Sequence, residues 1–184
     1  MAKKRSSAEV AGRHSALRHV LVVGGTTAEW DGLGDELWAA RRSDLAKAVA
    51  HSGALWLTMR PYSGPPSTAV QRIVDGREGC TVIVDPSADG RQRLLDAIDQ
   101  LRGLPPDSID EAAIAGVLMA PAPVEPDLTI ILGPGEHLPP SLVWELAYSE
   151  IVSVDAQWND LAVAHVEHAI DEFSRRHRRF GGIE

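Results

Sequence analysis

Gly24, Gly25, Thr26 and Thr27 follow four consecutive apolar residues, 20–23, in the stretch HVLVVGGTTAEW. An apolar strand running into a glycine turn is where open α/β sheets place phosphate groups, at the carboxyl end of a strand and against the start of a helix. The position suits a phosphate; the residues do not. There is no third glycine, and no lysine followed by serine or threonine, so neither dinucleotide nor P-loop chemistry is spelled out. A second turn, LGPGEHLPPS at 132–141, also follows an apolar run and sets Glu136 beside His137. Adjacent residues on one loop rarely divide acid and base work, so the simpler reading is a connecting turn. His165 and His168 lie three apart, a spacing compatible with a metal. With no carboxylate or cysteine at matching spacing, they read as a solvated helix face. The stretch RRHRRFGGIE at 175–184 gathers four arginines before two glycines. It reads equally well as a basic helix end meeting the helix dipole and as an arm that grips phosphate bidentately.

The elements that must hold these residues alternate. Apolar strands are expected at 20–23, 54–59, 80–85, 127–132 and 151–154. Helices are expected at 35–52, at 88–102 with Leu94, Leu95, Ile98 and Leu101 on one face, after a capping box at 108–111, at 141–149, and from an Asn159 cap to about 177. Val163, Val166, Ile170 and Phe173 would face inward on the last of these. Alternation of this kind predicts an α/β domain with a mainly parallel central sheet and helices on both faces. Residues 1–17 read as a mobile basic tail and 18–184 as one domain.

With 26 acidic against 18 basic side chains among 184 residues, the formal charge is −8. No basic stripe offers itself to nucleic acid. One cysteine, Cys80, precludes an internal disulfide, and no apolar run reaches membrane-spanning length. These features suit a cytoplasmic protein with at most peripheral membrane contact.

The chain resembles the cis-prenyltransferase family, the undecaprenyl diphosphate synthases and their relatives. The resemblance lies in PDLTIILGPGEHLPPSLVWELAYSEIVSVDAQWNDL, in AIDEFSRRHRRFGG, and in HVLVVGGTTAEW, which aligns without a gap to the family's first strand and diphosphate loop. GALWLTMRPYS resembles the family's second strand, and 81–98 matches more weakly. The resemblance implies a cis-prenyltransferase-like fold in which three things have been lost. The family's magnesium-binding aspartate stands at Gly25, and its cradle of Gly, Asn, Gly and Arg at Thr26, Thr27, Ala28 and Glu29. A carboxylate at Glu29 would repel a diphosphate. The Arg, Arg and Ser that recognise the homoallylic diphosphate stand at Ile131, His137 and Pro139. Residues 64–79 are too few for the tunnel-walling helices and extra strand that family members place there.

What the resemblance retains is a dimer-forming segment at 142–151 (Leu142, Trp144, Tyr148, Ile151), the second magnesium-associated carboxylate at Glu150, and the Arg-x-Gly motif at Arg179 and Gly181, followed by Gly182. In the family that motif reaches into the partner's site. Loss of the aspartate loop beside a kept Arg-x-Gly resembles the non-catalytic, Nogo-B-receptor-like subunits of heteromeric cis-prenyltransferases. It implies a regulatory subunit with no cofactor of its own, bound to a catalytic subunit that uses Mg2+ and isopentenyl diphosphate. The alternative is an atypical active enzyme making a short or branched prenyl diphosphate, with a relocated ligand such as Asp31 or Asp35.

Overall fold

The computed structural model describes residues 17–133, 135 and 137–176. Six strands form one sheet: β1 (His19–Val23), β2 (Trp56–Arg60), β3 (Ile73–Arg77), β4 (Cys80–Val84), β5 (Leu128–Leu132) and β6 (Glu150–Val154). Their order is β3-β4-β2-β1-β5-β6, and every pairing is parallel except β3 with β4. All five residues of β1 are buried, as its unbroken apolar run requires at the centre of a sheet covered on both sides.

The two faces differ in chemistry because successive side chains point opposite ways. Val20, Val22, Leu57, Met59, Val82, Val84, Leu128 and Ile130 form the apolar face. Against it pack α2 (Asp35–His51), through Trp38, Leu45 and Val49, and α5 (Val163–Arg175), through Val166, Ile170 and Phe173. The opposite face carries Leu21, Val23 and Ile131, but also His19, Thr58, Arg60 and Thr129, all buried. Over it lie α3 (Gly90–Leu101) and α4 (Glu111–Met119).

The expected α/β architecture is present; several local readings are corrected. Strand β3 lies in the stretch expected to have lost one. A two-residue turn, Glu78 and Gly79 with φ of 50° and 83°, folds it back on β4, the geometry of a tight hairpin. A short helix, α1 (Thr27–Asp31), follows the glycine turn, where only a connection was expected. Residues 141–149 are not a helix. Only a 3-10 turn forms, at Glu145–Ala147, because Ser141 and Glu145 are drawn inward by arginine side chains described below. Helix α3 buries Gly90, Ala97 and Leu101 and leaves Leu95 and Ile98 exposed. A β-carbon at Gly90 would come within 2.9 Å of the Ser141 carbonyl, so that close approach and the ion pairs of Arg93 set the helix's rotation. Asp110, not Ser108, caps α4 by accepting from the Ala113 amide. Helix α5 starts beyond Asn159; the Ala162 N–H donates to His165 Nδ1.

Candidate functional site

The turn after β1 is closed on itself. The Gly24 amide donates to the Arg60 carbonyl and the Thr27 amide to the Ser63 carbonyl. The Thr26 amide donates to Glu29 Oε2 at 2.7 Å, and the Glu29 amide donates back to Thr26 Oγ1 at 3.2 Å. The Trp30 amide completes the first helical turn on the Thr26 carbonyl. A helix start that binds phosphate offers unpaired N–H groups to it. Here a capping box and the Ser63 carbonyl occupy the amides of Thr26, Thr27 and Glu29, and the anion at the helix start is the chain's own Glu29 carboxylate.

Above the turn stand three tryptophans. Trp30 and Trp158 stack with centroids 5.2 Å apart, and Trp38 meets Trp30 edge-on at 4.9 Å. Trp30 donates its indole N–H to the Gly24 carbonyl at 2.9 Å, and Trp38 donates to the Trp30 carbonyl at 3.1 Å. Gly25 has φ of +70°, and a β-carbon there would lie 2.6 Å from Trp158 Cγ. The Arg41 guanidinium lies 4.5 Å from the Trp158 ring centroid. The carboxyl end of β1, where a ligand would enter, is therefore filled by indoles.

The opposite sheet face is filled by charge. Arg60, 2% exposed, binds Glu145 at 2.6 Å and Asp85 at 3.2 Å. Arg93 reaches the same two carboxylates at 3.1 and 3.3 Å. Burial alone would raise the Glu145 carboxyl; the adjacent Arg60 and Arg93 guanidinium groups instead hold it down, at about 2. Asp85 is likewise held below the usual carboxylate range, its burial outweighed by the same two arginines. Arg60 also donates to the Ser141 carbonyl at 3.4 Å, which pins the residues before the 3-10 turn. His19 is pushed down to about 4, chiefly by burial. The Val124 carbonyl 2.9 Å from its Nδ1 can only accept, so Nδ1 carries the proton and Nε2 accepts from the Thr58 hydroxyl at 2.8 Å. Between His19, Thr58, Arg60 and Asp85 the remaining cavity is about 10 Å3, room for about one water at most. An isoprenoid chain has no room there.

The residues singled out in the sequence are dispersed accordingly. Gly25, Thr26, Thr27 and Glu29 share the closed turn. Ile131 is core, and His137 is exposed with its carbonyl accepting from the Tyr62 hydroxyl at 2.8 Å. Glu150 opens β6, at the opposite end of the parallel strands from Gly25, and faces Arg176 at 3.5 Å. Leu142 is buried against Leu21, Val23 and Ile131, so it belongs to the core and not to a surface. Trp144 and Tyr148 do lie together, rings 6.2 Å apart, although on a 3-10 turn. Tyr148 is exposed, with Val143 and Leu146 beside it, and Ile151 is partly buried. Arg179, Gly181 and Gly182 lie outside the described residues. Among the described residues no group of three or more His, Cys, Asp or Glu side chains is arranged for a metal. Both Asp31 oxygens are occupied, accepting from Ser67, from the Thr68 amide and hydroxyl, and from the amides of Ala69 and Val70. The Ser67 hydrogen bond foremost lowers its pKa to about 2. Asp31 is the staple of the loop before β3.

Sequence reading missed the Arg60–Asp85–Arg93–Glu145 network and the role of Trp158. A charge closing each apolar strand, Arg60 after LTM and Asp85 after TVIV, was the available signal.

A mainly parallel sheet with helices on both faces and a glycine turn at the end of β1 defines an α/β protein, here with the turn's hydrogen bonds made within the chain. The chain belongs to the undecaprenyl diphosphate synthase family of prenyltransferases: the family model described as putative undecaprenyl diphosphate synthase matches residues 67–181. Isoprenyl transferase 2 of Bradyrhizobium diazoefficiens is 44% identical over 78 residues, 42% of this chain and 31% of that protein. The (2E,6E)-farnesyl-diphosphate-specific ditrans,polycis-undecaprenyl-diphosphate synthase of Escherichia coli K12 is 31% identical over 121 residues, 62% of this chain and 47% of that one. These matches thus span a third to a half of the relatives' length. The crystal structure of lavandulyl diphosphate synthase from Lavandula x intermedia, in complex with dimethylallyl diphosphate, superposes with a TM-score of 0.64. It covers 91% of this chain and 99% of that one at 16% identity, a likeness of fold alone. No helix among the described residues is long and apolar enough to cross a membrane.

Proposed function

We propose that this chain is the non-catalytic, regulatory subunit of a heteromeric cis-prenyltransferase. It binds a catalytic subunit of the same family and supplies Arg179, Gly181 and Gly182 to the diphosphate bound there. The observation that carries this reading is the packing of Trp158 on Gly25, at the position where the resemblance puts the magnesium-binding aspartate. A side chain there would be strained and would press on Trp158, the amides of Gly24, Thr26, Thr27 and Glu29 are already hydrogen-bonded, and the opposite face holds ion pairs. Mg2+ does not fit this chain's own turn, so in this reading magnesium and isopentenyl diphosphate belong to the partner's site. A guanidinium at 179 offers paired donors to phosphate oxygens, and glycine at 181 admits close backbone approach.

The test is a comparison of the purified chain with its complex. The chain alone, given farnesyl and isopentenyl diphosphates with Mg2+, is expected to turn nothing over. Co-expressed with a full-length synthase from the same source, it is expected to co-purify and raise that enzyme's rate. Steady turnover by the pure chain, or failure to retain a synthase, overturns the reading.

One observation favours the second reading, an atypical enzyme. The fold is matched almost end to end by a synthase of comparable extent, lavandulyl diphosphate synthase. Turnover of dimethylallyl diphosphate by the pure chain would select it.

A further inference from the structure

Helix α4 reads EAAIAGVLM, apolar at every position but the first, yet only Met119 is buried. A helix apolar all round needs cover on every side. One uncovered side lines an open groove of about 700 Å3. Ala112, Ala115, Gly116 and Met119 of α4 line it, together with Val124 and Tyr148. Acids rim it: Asp110, Glu111 and Glu125, all three lining the adjoining hollow. Glu111 accepts from the Tyr148 hydroxyl and Glu125 from the Trp144 indole N–H, so both are positioned without being neutralised. On the basic side, Arg18 at the groove's end is matched by Asp127 at 2.9 Å, and Arg72 touches the Ala120 carbonyl.

We propose that this groove is the docking site of the chain's own residues 1–16. Arg18, one residue into the described part of the chain, is itself a wall of the groove. The sixteen preceding residues carry Lys3, Lys4, Arg5 and Arg13 against the single acid Glu9, with Ala8, Val10 and Ala11 between them. Basic side chains meet the acidic rim and small apolar ones meet the alanines of α4. At up to roughly 3.3 Å per residue the segment is long enough to run along the groove from Arg18. Tethering at the groove's edge gives the segment an effective concentration of about millimolar, so modest attractions suffice. This docking stands whether or not the chain serves a partner enzyme.

The experiment uses the full chain. Amide resonances of Ala112, Ala115, Gly116 and Tyr148 are compared between wild type and the variant Lys3→Glu/Lys4→Glu/Arg5→Glu, at low and high salt. The charge reversal is expected to move these resonances, and salt to move the wild type's the same way, as screening of exposed charges requires. A synthetic peptide of residues 1–16 added to the variant is expected to move them back, and to bind wild type at least about tenfold more weakly because the tethered copy competes. Unmoved resonances, or a peptide that binds neither chain, overturn the proposal. Shifts that depend on protein concentration, with dimers in sedimentation, also overturn it by assigning the groove to a second copy's segment.

Discussion

Trp158 lies against Gly25 so closely that a β-carbon on the glycine would sit 2.6 Å from Cγ and 2.8 Å from Cβ of the tryptophan. With φ of +70° the backbone there also disfavours any side chain. The packing joins the loop after β1 to the residues before α5, and it takes the space that a side chain at position 25 would need.

Gly25→Ala therefore carries two penalties, left-handed strain of about 1 kcal/mol and overpacking of about 1–3 kcal/mol. Gly53 has φ of +86° and nothing near its β-position, so Gly53→Ala isolates the strain. In urea denaturation Gly25→Ala should cost at least about twice as much as Gly53→Ala. Equal costs would mean that Trp158 yields freely. Gly25→Asp should destabilise the fold and restore no prenyl transfer.

Thr26→Ala removes the side chain that accepts from the Glu29 amide. A lost cap of this kind costs about 0.5–2 kcal/mol. Calorimetric titration with isopentenyl diphosphate should detect no binding at this turn in either protein. Saturable binding by the wild type would show that the capping box opens to a ligand.

Glu145→Leu leaves Arg60 and Arg93 facing Asp85 alone. Breaking a buried ion pair from one side costs about 3–5 kcal/mol, and the midpoint of denaturation should fall accordingly. A loss below about 1 kcal/mol, the range of exposed pairs, would place these charges in water.

Acid should unfold the protein in two stages. His19 has its pKa depressed in the fold, so the unfolded chain binds the proton first, and stability present above pH 6.5 drains away towards about 4. At about 1.4 kcal/mol per pH unit, that window is worth about 3 kcal/mol. Glu145, depressed from 4.5 to about 2, adds a second loss below pH 4.5. The variant His19→Asn should flatten the stability profile between pH 6.5 and 4 while leaving the lower stage; an unchanged slope would assign the upper stage elsewhere.

In a reconstituted complex, Arg179→Ala should lower turnover by about ten- to a hundredfold, because the transition state is deprived of one charge-assisted hydrogen bond. Association measured by co-purification should be unchanged. Full activation by the variant would leave packing as the subunit's sole contribution.

The α/β class and five of the six strands were legible from the amino-acid sequence, because an apolar run such as residues 20–23 between polar turns suits a strand buried on both faces of a parallel sheet. That position 25 offers no side chain was legible too, whereas the indole packed against it was not. Local patterns failed where distant residues decided. Residues 141–149 read as an apolar helix, but Glu145 is held by Arg60 from β2 and Arg93 from α3, and those ion pairs outweigh helical propensity. Leu95 and Ile98 read as core for the same reason: the rotation of α3 is set by Arg93 and by the close approach at Gly90. Tertiary structure alone brought Trp158 onto Gly25 across more than a hundred residues of chain. The sequence says which side chain position 25 lacks; only packing decides what fills the space.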